Sequence, residues 1–549
     1  MDQILHRHFI SNLHHAVDGR AQLTALRECS QLSLNNPVLL KEYHEVLLLF
    51  CAYPGNKKVR ELAVEELNRI SQAIRKHQYS NRWQHILAGS GLPFTELRCQ
   101  YSLEMVSWLV EKFPGQVKPA EAGATAATVR QIFQSLLPGI EFERSTHGGL
   151  NLWNRIKSLS GHYFNVPSLK WLIQLFQQQQ WPALLRDQLY DNMNIFISWS
   201  LTENSWNRSF LQRPVNNVYC QSIKKKKVNS SLIIHQPVKP SVPLTEQEKQ
   251  DLIGTMRASL AFYYRETDPF TYADASALEL FELGQGLQVA LTGMRKERRL
   301  SLESYVGFMA FKNGVPVSYG GGWLFGHRCK IGVNIYPPFR GAESAWLFCQ
   351  VMRLYYQRYN VHRFVVKPYQ FGKGNPEGLK SGAFWFYYKL GFRPVNEKIK
   401  KAAETEWKKI TAGNSYRTSL KTLKSFTASN KEWIVKKKLA AHPLAGELSS
   451  KVSSMIRQEF QGDRERAILT CTREMRISLG IKTMPALSKE EVSVWENWAL
   501  LWSILPGHHT WNNRQRKYWH LLFWLKTRGN ERDFILDWQL YKDLWSTGT

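Results

Sequence analysis

Asn313-Gly314 stands between two apolar runs, residues 306–311 and 315–323, and constrains this chain more than any other feature. Both central positions of a two-residue hairpin loop need positive φ. Asn and Gly reach it at least cost, so the pair specifies a tight β-hairpin. Three glycines, Gly320, Gly321 and Gly322, fall inside the return strand. They imply either a bulge or a backbone that a neighbour approaches closely. A third strand is expected over 330–336, stopped by Pro337-Pro338. Apolar residues at Ala345, Leu347, Phe348, Val351, Met352, Leu354 and Tyr355 recur at helical spacing and predict a helix over 342–359. A short buried strand follows at 364–366. Asn375-Pro376 then supplies an N-cap and a first helical residue for a helix that ends before Gly391.

Where the chain leaves the third strand and enters the helix, several backbone N–H groups lack intrahelical partners and the positive end of the helix dipole is exposed. A diphosphate is held at such a junction without a metal. Arg340 adds a charge-assisted contact there, and Gly341 lets the backbone come close.

Three antiparallel strands, a helix, a strand and a helix resemble the core of the GNAT (Gcn5-related N-acetyltransferase) superfamily. FRGAESA, residues 339–345, is similar to that family's pyrophosphate loop, R/Q-x-x-G-x-G/A. FYYKLGF, residues 386–392, is similar to its helix-to-strand segment, with Tyr387 as the matching tyrosine. The resemblance covers roughly 150 of the 549 residues, counting the helices before the hairpin. It implies a central α/β (α+β) domain with a mixed sheet, flanked by mostly α-helical regions. It also implies acetyl-CoA or another acyl-CoA as co-substrate, direct attack by an amine acceptor, and no metal. By the same resemblance, Arg340, Gly341, Ala342, Ser344 and Ala345 hold the diphosphate. Val333, Asn334 and Ile335 flank the pantetheine, and Tyr387 protonates the departing thiolate.

Two positions depart from the family pattern. Glu343 replaces the loop's first glycine, where a carboxylate suits the helix dipole, can bond the N–H groups a phosphate would use, and would repel a diphosphate; if it caps its own helix, the site no longer takes CoA. Asn375 lies twelve residues before Tyr387 whereas the family asparagine lies seven before, at the position of Lys380; Asn375 therefore reads as a cap. Glu303, Glu343, Glu377 and His327 are the candidate general bases, and nothing in the pattern selects among them. Tyr387 also sits in an aromatic row with Phe384, Trp385 and Phe386, which fits core packing equally well.

At 549 residues the chain exceeds one hydrophobic core, so two to four domains are expected. Residues 1–210 carry helical patterns at 39–50, 59–74, 105–113, 129–137 and 169–176. Residues 211–243, rich in Asn, Lys, Ser and Pro, read as a linker. The acyltransferase-like domain spans 244–400, opened by a capping box at Thr245 and Glu248. Residues 401–549 read as helical, basic and tryptophan-rich. Trp495, Trp498 and Trp502 are spaced along one helix face, which favours a core role over base stacking.

Lys and Arg total 73 against 45 acidic residues, a net charge of +28, which attracts RNA, other polyanions or anionic surfaces. Residues 224–227 and 436–438 are lysine runs of the kind usually solvated. Seven cysteines without a CxxC pair indicate neither a disulfide frame nor a zinc site. His6, His8, His14, His15 and the adjacent His508 and His509 read as surface or cap residues. The start, MDQILHRHF, lacks the form of a signal peptide, and no apolar run is long enough to span a bilayer; a cytoplasmic protein is expected. Three functions follow: a GNAT-type acyltransferase, an aminoacyl-tRNA-dependent transferase on the same fold, or a silent basic domain that binds nucleic acid or a protein partner.

Overall fold

The computed structural model describes residues 16–145, 152–160, 168–202, 204–222, 228–341, 343–413, 415–436, 443–483 and 485–540. Contacts divide the chain into two compact units. One takes Met1–Ile223, Thr245–Tyr272 and Phe311–Pro316; the other takes Lys224–Leu244, Ala273–Ala310 and Val317–Thr549.

In the first unit, helices Gly19–Ser30, Pro37–Ala52 and Lys57–Lys76 open on Asp18, Asn36 and Asn56, whose side chains accept from first-turn amides. Helix Glu246–Ala261 belongs to this unit and opens on the Thr245–Glu248 capping box that the spacing predicts. A small antiparallel sheet joins the helices: β1 (Glu96–Gln100), β2 (Val117–Ala122) and β3 (Ile195–Ser200), in the order β1-β3-β2. These strands lie in a stretch whose pattern reads as helical. β1 is short and β2 contains Pro119, so neither shows clean alternation. β3 does alternate, burying Ile195, Ile197 and Trp199 against Phe133, Phe176 and Tyr190.

Asn313 and Gly314 adopt φ +48° and +83°, as a two-residue hairpin requires. Asn313 is fully buried, and its amide donates to the carbonyls of Ala52 and Tyr219, each at 2.9 Å. Its side-chain oxygen accepts from the Tyr219 N–H at 2.8 Å. The turn residue is thus also a polar staple within the first unit.

The second unit is built on a mixed eight-stranded sheet in the order β10-β11-β9-β8-β7-β6-β5-β4. Its first strands are β4 (Glu279–Glu282), β5 (Leu287–Thr292), β6 (Ser304–Lys312), β7 (Val315–Phe325) and β8 (Arg328–Ile335). Register between β7 and β8 runs unbroken from Ser318↔Ile335 to Phe325↔Arg328, so the three glycines make no bulge. They permit close approach instead. A Cβ on Gly320 would strike the Phe308 ring, and one on Gly322 would meet the Tyr355 ring. Tyr355 belongs to α1 (Ser344–Arg358), and its hydroxyl donates to the Val306 carbonyl at 2.7 Å, locking the helix onto the sheet.

After β9 (Arg363–Val366), the single helix predicted from 375 to 390 is in fact two: α2 (Pro376–Lys380) and α3 (Ala383–Lys389). Gly382 divides them at φ +66°, a value no α-helix contains. β10 (Arg393–Pro394), α4 (Glu397–Ala412), α5 (Leu420–Phe426) and β11 (Lys431–Ile434) follow. β11 inserts between β9 and β10, so a region read as helical contributes a strand to the main sheet. The remaining helices bury Trp495, Trp498, Trp502, Trp511, Trp519 and Trp538 in one cluster. Trp545 lies outside the described residues. Among the described residues no helix is long and apolar enough to cross a membrane.

His362, just before β9, stacks on His327 with ring centroids 4.7 Å apart and planes 2° from parallel. Burial, then the charges of His327 and Lys436, push His362 down from 6.5 to about 4.

Two outcomes test these supports. Asn313→Ala removes three hydrogen bonds and puts at positive φ a residue that tolerates it less well than Asn; a loss of roughly 3 kcal/mol is expected in urea titration. The neutral imidazole of His362 means the folded state binds fewer protons than the unfolded one. Its contribution is therefore intact above pH 6.5 and is lost as pH falls from 6.5 through about 4. His362→Phe should flatten stability against pH across that window, and an unchanged slope would exclude this residue as the cause.

Candidate functional site

β8 is paired along its whole length on one edge, with β7. On the other edge the parallel strand β9 matches only Arg328, Lys330 and the residue between them. The cause is local. β9 ends at Val366, and Pro368, which has no N–H to donate, opens a 3-10 turn over Pro368–Phe371. The outer edge of β8 from residue 331 to 335 therefore has no strand partner. Val333 and Ile335 are half-buried there and Asn334 is exposed, while Ser318 Oγ donates to the Asn334 carbonyl at 2.9 Å. Gln370, from the 3-10 turn, lies against this edge: a Cβ on Gly332 would come within 2.7 Å of its Nε2. Nothing in the sequence singles out Gln370, because its placement depends on where β9 stops.

Pro337–Phe339 forms a short turn after β8, and the chain reaches α1 through Arg340 to Glu343. Gly341 has φ +82°, and a Cβ at this position would meet nothing within 4 Å, so glycine serves the backbone conformation here and not a close approach. Ala342 lies outside the described residues. Glu343 occupies the N-cap position, yet its side chain makes no capping hydrogen bond. The first intrahelical bond runs from the Leu347 N–H to the Glu343 carbonyl at 2.9 Å. Of the two roles open to this carboxylate, closing the helix start is therefore not the one it takes. Ser344 and Ala345 follow, both half-buried.

Arg340 Nε donates to the Ile335 carbonyl at 3.3 Å, and its guanidinium pairs with Glu377 of α2. The partners are 52% and 68% exposed, which makes the pair weak, about 0–1 kcal/mol. Asn375 caps α2 by accepting from the Gly378 N–H at 3.0 Å, as its spacing implies.

Tyr387, on α3, packs edge-on against Phe348 of α1 at 5.8 Å, one turn from Ser344. That contact brings the two sequence segments together. Burial raises the Tyr387 phenol above its usual value, so it keeps its proton at neutral pH. Among the described residues nothing hydrogen-bonds its hydroxyl. Tyr388 turns elsewhere, under the Arg393 guanidinium at 3.9 Å and beside Trp407. Buried Lys431 of β11 anchors the start of α3 by donating to the Phe384 carbonyl.

The candidate bases separate clearly. Glu303 pairs with Lys330 at 2.5 Å, and His327 Nδ1 lies 3.0 Å from the Asn360 carbonyl. Both belong to the opposite end of β8; at about 3.3 Å per residue they lie roughly 15–25 Å from the loop. Glu377 is held by Arg340. Glu343 is the acidic group beside the helix start.

Two other arrangements carry no chemistry. An open groove of about 540 Å³ is lined by Glu303, Arg328, Lys330 and the start of helix Ala445–Glu459. Its cations are paired, Arg328 with Glu432 at 3.0 Å and Lys330 with Glu303, and Glu447 already accepts from the Leu444 N–H. His44 Nε2 lies 3.0 Å from Ser209 Oγ, with Glu45 beside it, but Ser209 and His44 are buried beyond the reach of a substrate. Among the described residues no three His, Cys, Asp or Glu side chains converge as a metal site.

Comparison with protein-family models, with curated proteins and with solved structures returns no match.

Because the Tyr387 hydroxyl has no hydrogen bond among the described residues, Tyr387→Phe should unfold within about 0.5 kcal/mol of the parent in denaturant titration. A larger loss would assign the hydroxyl a structural task.

Proposed function

We propose that the part of the chain carrying the hairpin, β8 and α1 is an N-acyltransferase of GNAT type that takes its acyl group from acyl-CoA. The observation that carries this reading is the coincidence of three features at one place. β8 has an unpaired edge, a strand-to-helix loop begins at Arg340, and Tyr387 is packed one turn from the helix start.

The fit follows from the chemistry of each part. A strand edge offers outward N–H and C=O groups to an extended amide-bearing chain such as pantetheine, here from Val333 and the Ile335 N–H on either side of Asn334, whose carbonyl accepts from Ser318. Backbone groups of Gly341, Ser344 and Ala345, with the Arg340 guanidinium released from Glu377, would hold the diphosphate. Glu343 does not spend itself on the helix cap, which keeps those amides from being closed by that side chain. Acyl-CoA supplies a thioester already activated toward an amine. Tyr387, protonated at neutral pH, would donate to the thiolate that leaves. The acceptor amine loses a proton as it attacks, to solvent or to an acidic group near the loop such as Glu343.

Isothermal calorimetry with CoA tests the site. Arg340→Glu should weaken CoA at least 10-fold, about 1.4 kcal/mol, while its melting curve overlays the parent's. CoA binding that survives unchanged in this variant rejects the assigned loop, and a parent protein that ignores millimolar CoA rejects the function. Tyr387→Phe should keep CoA affinity and lower kcat by about 100-fold in an acyl-transfer assay monitored as thiol release.

A further inference from the structure

We propose that the lysine-rich surface of α2, α4, α5 and the turn before α2 binds the phosphodiester backbone of a nucleic acid. Residues 363–436 contain sixteen Lys and Arg against five Glu and no Asp, so under a seventh of the chain holds +11 of its +28. The five carboxylates do not neutralise this excess. Glu377 is taken by Arg340, Glu397 by Lys400, Glu406 by Lys409 and Glu432 by Arg328, and Glu404, exposed on α4 near Lys401 and Lys408, offsets a single charge.

The remaining cations are arranged and not scattered. α4 sets Lys398, Lys401 and Lys408 on one exposed face, three and seven residues apart. Its opposite face is the anchored one, with Ala403 and Glu406 buried and Trp407 stacked on Trp385 at 5.5 Å. α5 packs against both α2 and α4 and adds exposed Lys421 and Lys424. None of these five lysines has an ion-pair partner among the described residues. Tyr369, 60% exposed in the 3-10 turn between Lys367 and Lys373, offers a ring on which a base stacks beside cations that hold phosphate.

The pattern separates nucleic acid from its rivals. A helix that binds a membrane surface buries its apolar face in the bilayer, but the apolar face of α4 is already packed on Trp385. Protein interfaces centre on apolar and aromatic residues and are depleted in lysine. A dispersed set of unpaired lysines with an exposed aromatic ring suits a phosphate polymer. This binding does not depend on the acyl-CoA reading, although the Arg340–Glu377 pair joins the loop to α2 at the border of the surface.

Fluorescence anisotropy without CoA provides the test, using single-stranded RNA, single-stranded DNA and duplex DNA of about thirty nucleotides, a length that spans several binding footprints. The parent should bind at least one of the three, with log K falling linearly against log salt. Lys398→Glu/Lys401→Glu/Lys408→Glu should bind at least 30-fold more weakly and lower the salt slope by about 2, from three contacts at about 0.7 each on a single strand. Lys451→Glu/Arg457→Glu, on the exposed side of helix Ala445–Glu459, should bind like the parent. Matching circular dichroism melts of all three proteins show that the losses are not unfolding. The proposal falls if the parent binds none of the probes in low salt, if both variants lose affinity equally, or if only phosphatidylserine vesicles are bound.

Discussion

The early end of β9 is the constraint on which the candidate site depends. A parallel strand that continued beside β8 would satisfy its outer backbone groups and leave no edge for an extended ligand. Pro368 prevents this by removing a ladder donor and turning the chain into a 3-10 helix within three residues of the last pair. On the inner edge, β7 stays paired to the end of β8, so the strand remains straight and rigid while one side is open. The three glycines of β7 serve the same end, since they let Phe308 and Tyr355 close on the sheet and hold α1 in place.

From that frame the loop inherits its geometry. α1 is fixed by the Tyr355 hydroxyl on the Val306 carbonyl, and Gly341 takes the positive φ that carries the chain from strand to helix. α3 is held from the other side, by Lys431 on the Phe384 carbonyl and by the aromatic contact of Tyr387 with Phe348. Positional precision thus comes from packed rings and buried polar bonds. The exposed Arg340–Glu377 pair contributes little stability.

Local signals were legible wherever one or two residues decide the conformation. Asn313-Gly314 announced the hairpin, Thr245 with Glu248 announced a helix start, and Asn375-Pro376 announced α2. They failed where the deciding partner is distant. β11 is four residues whose pairing lies with β9, some seventy positions earlier, and β1 and β2 are strands only because β3 lies between them. The helix opened by Asn375-Pro376 reads as continuous to Gly391; the positive φ of Gly382 is what separates α2 from α3. Seven Trp residues lie between 495 and 538; the spacing of the first three favoured a core role over base stacking, and six of the seven form the core cluster itself.

The sequence alone determined the hairpin, the order of strands and helices from residue 306 to the start of α2, the helix caps and the excess of positive charge. Each of these rests on φ preference, capping chemistry or composition, which neighbours in the chain decide among themselves. Tertiary structure decided that β8 has an open edge, that Glu343 leaves its helix uncapped, that Gln370 lies on Gly332 and that Tyr387 meets α1. It also gathered unpaired lysines of α4 and α5 on adjoining helices. Those outcomes depend on which groups approach across long stretches of chain, and no local preference encodes that distance.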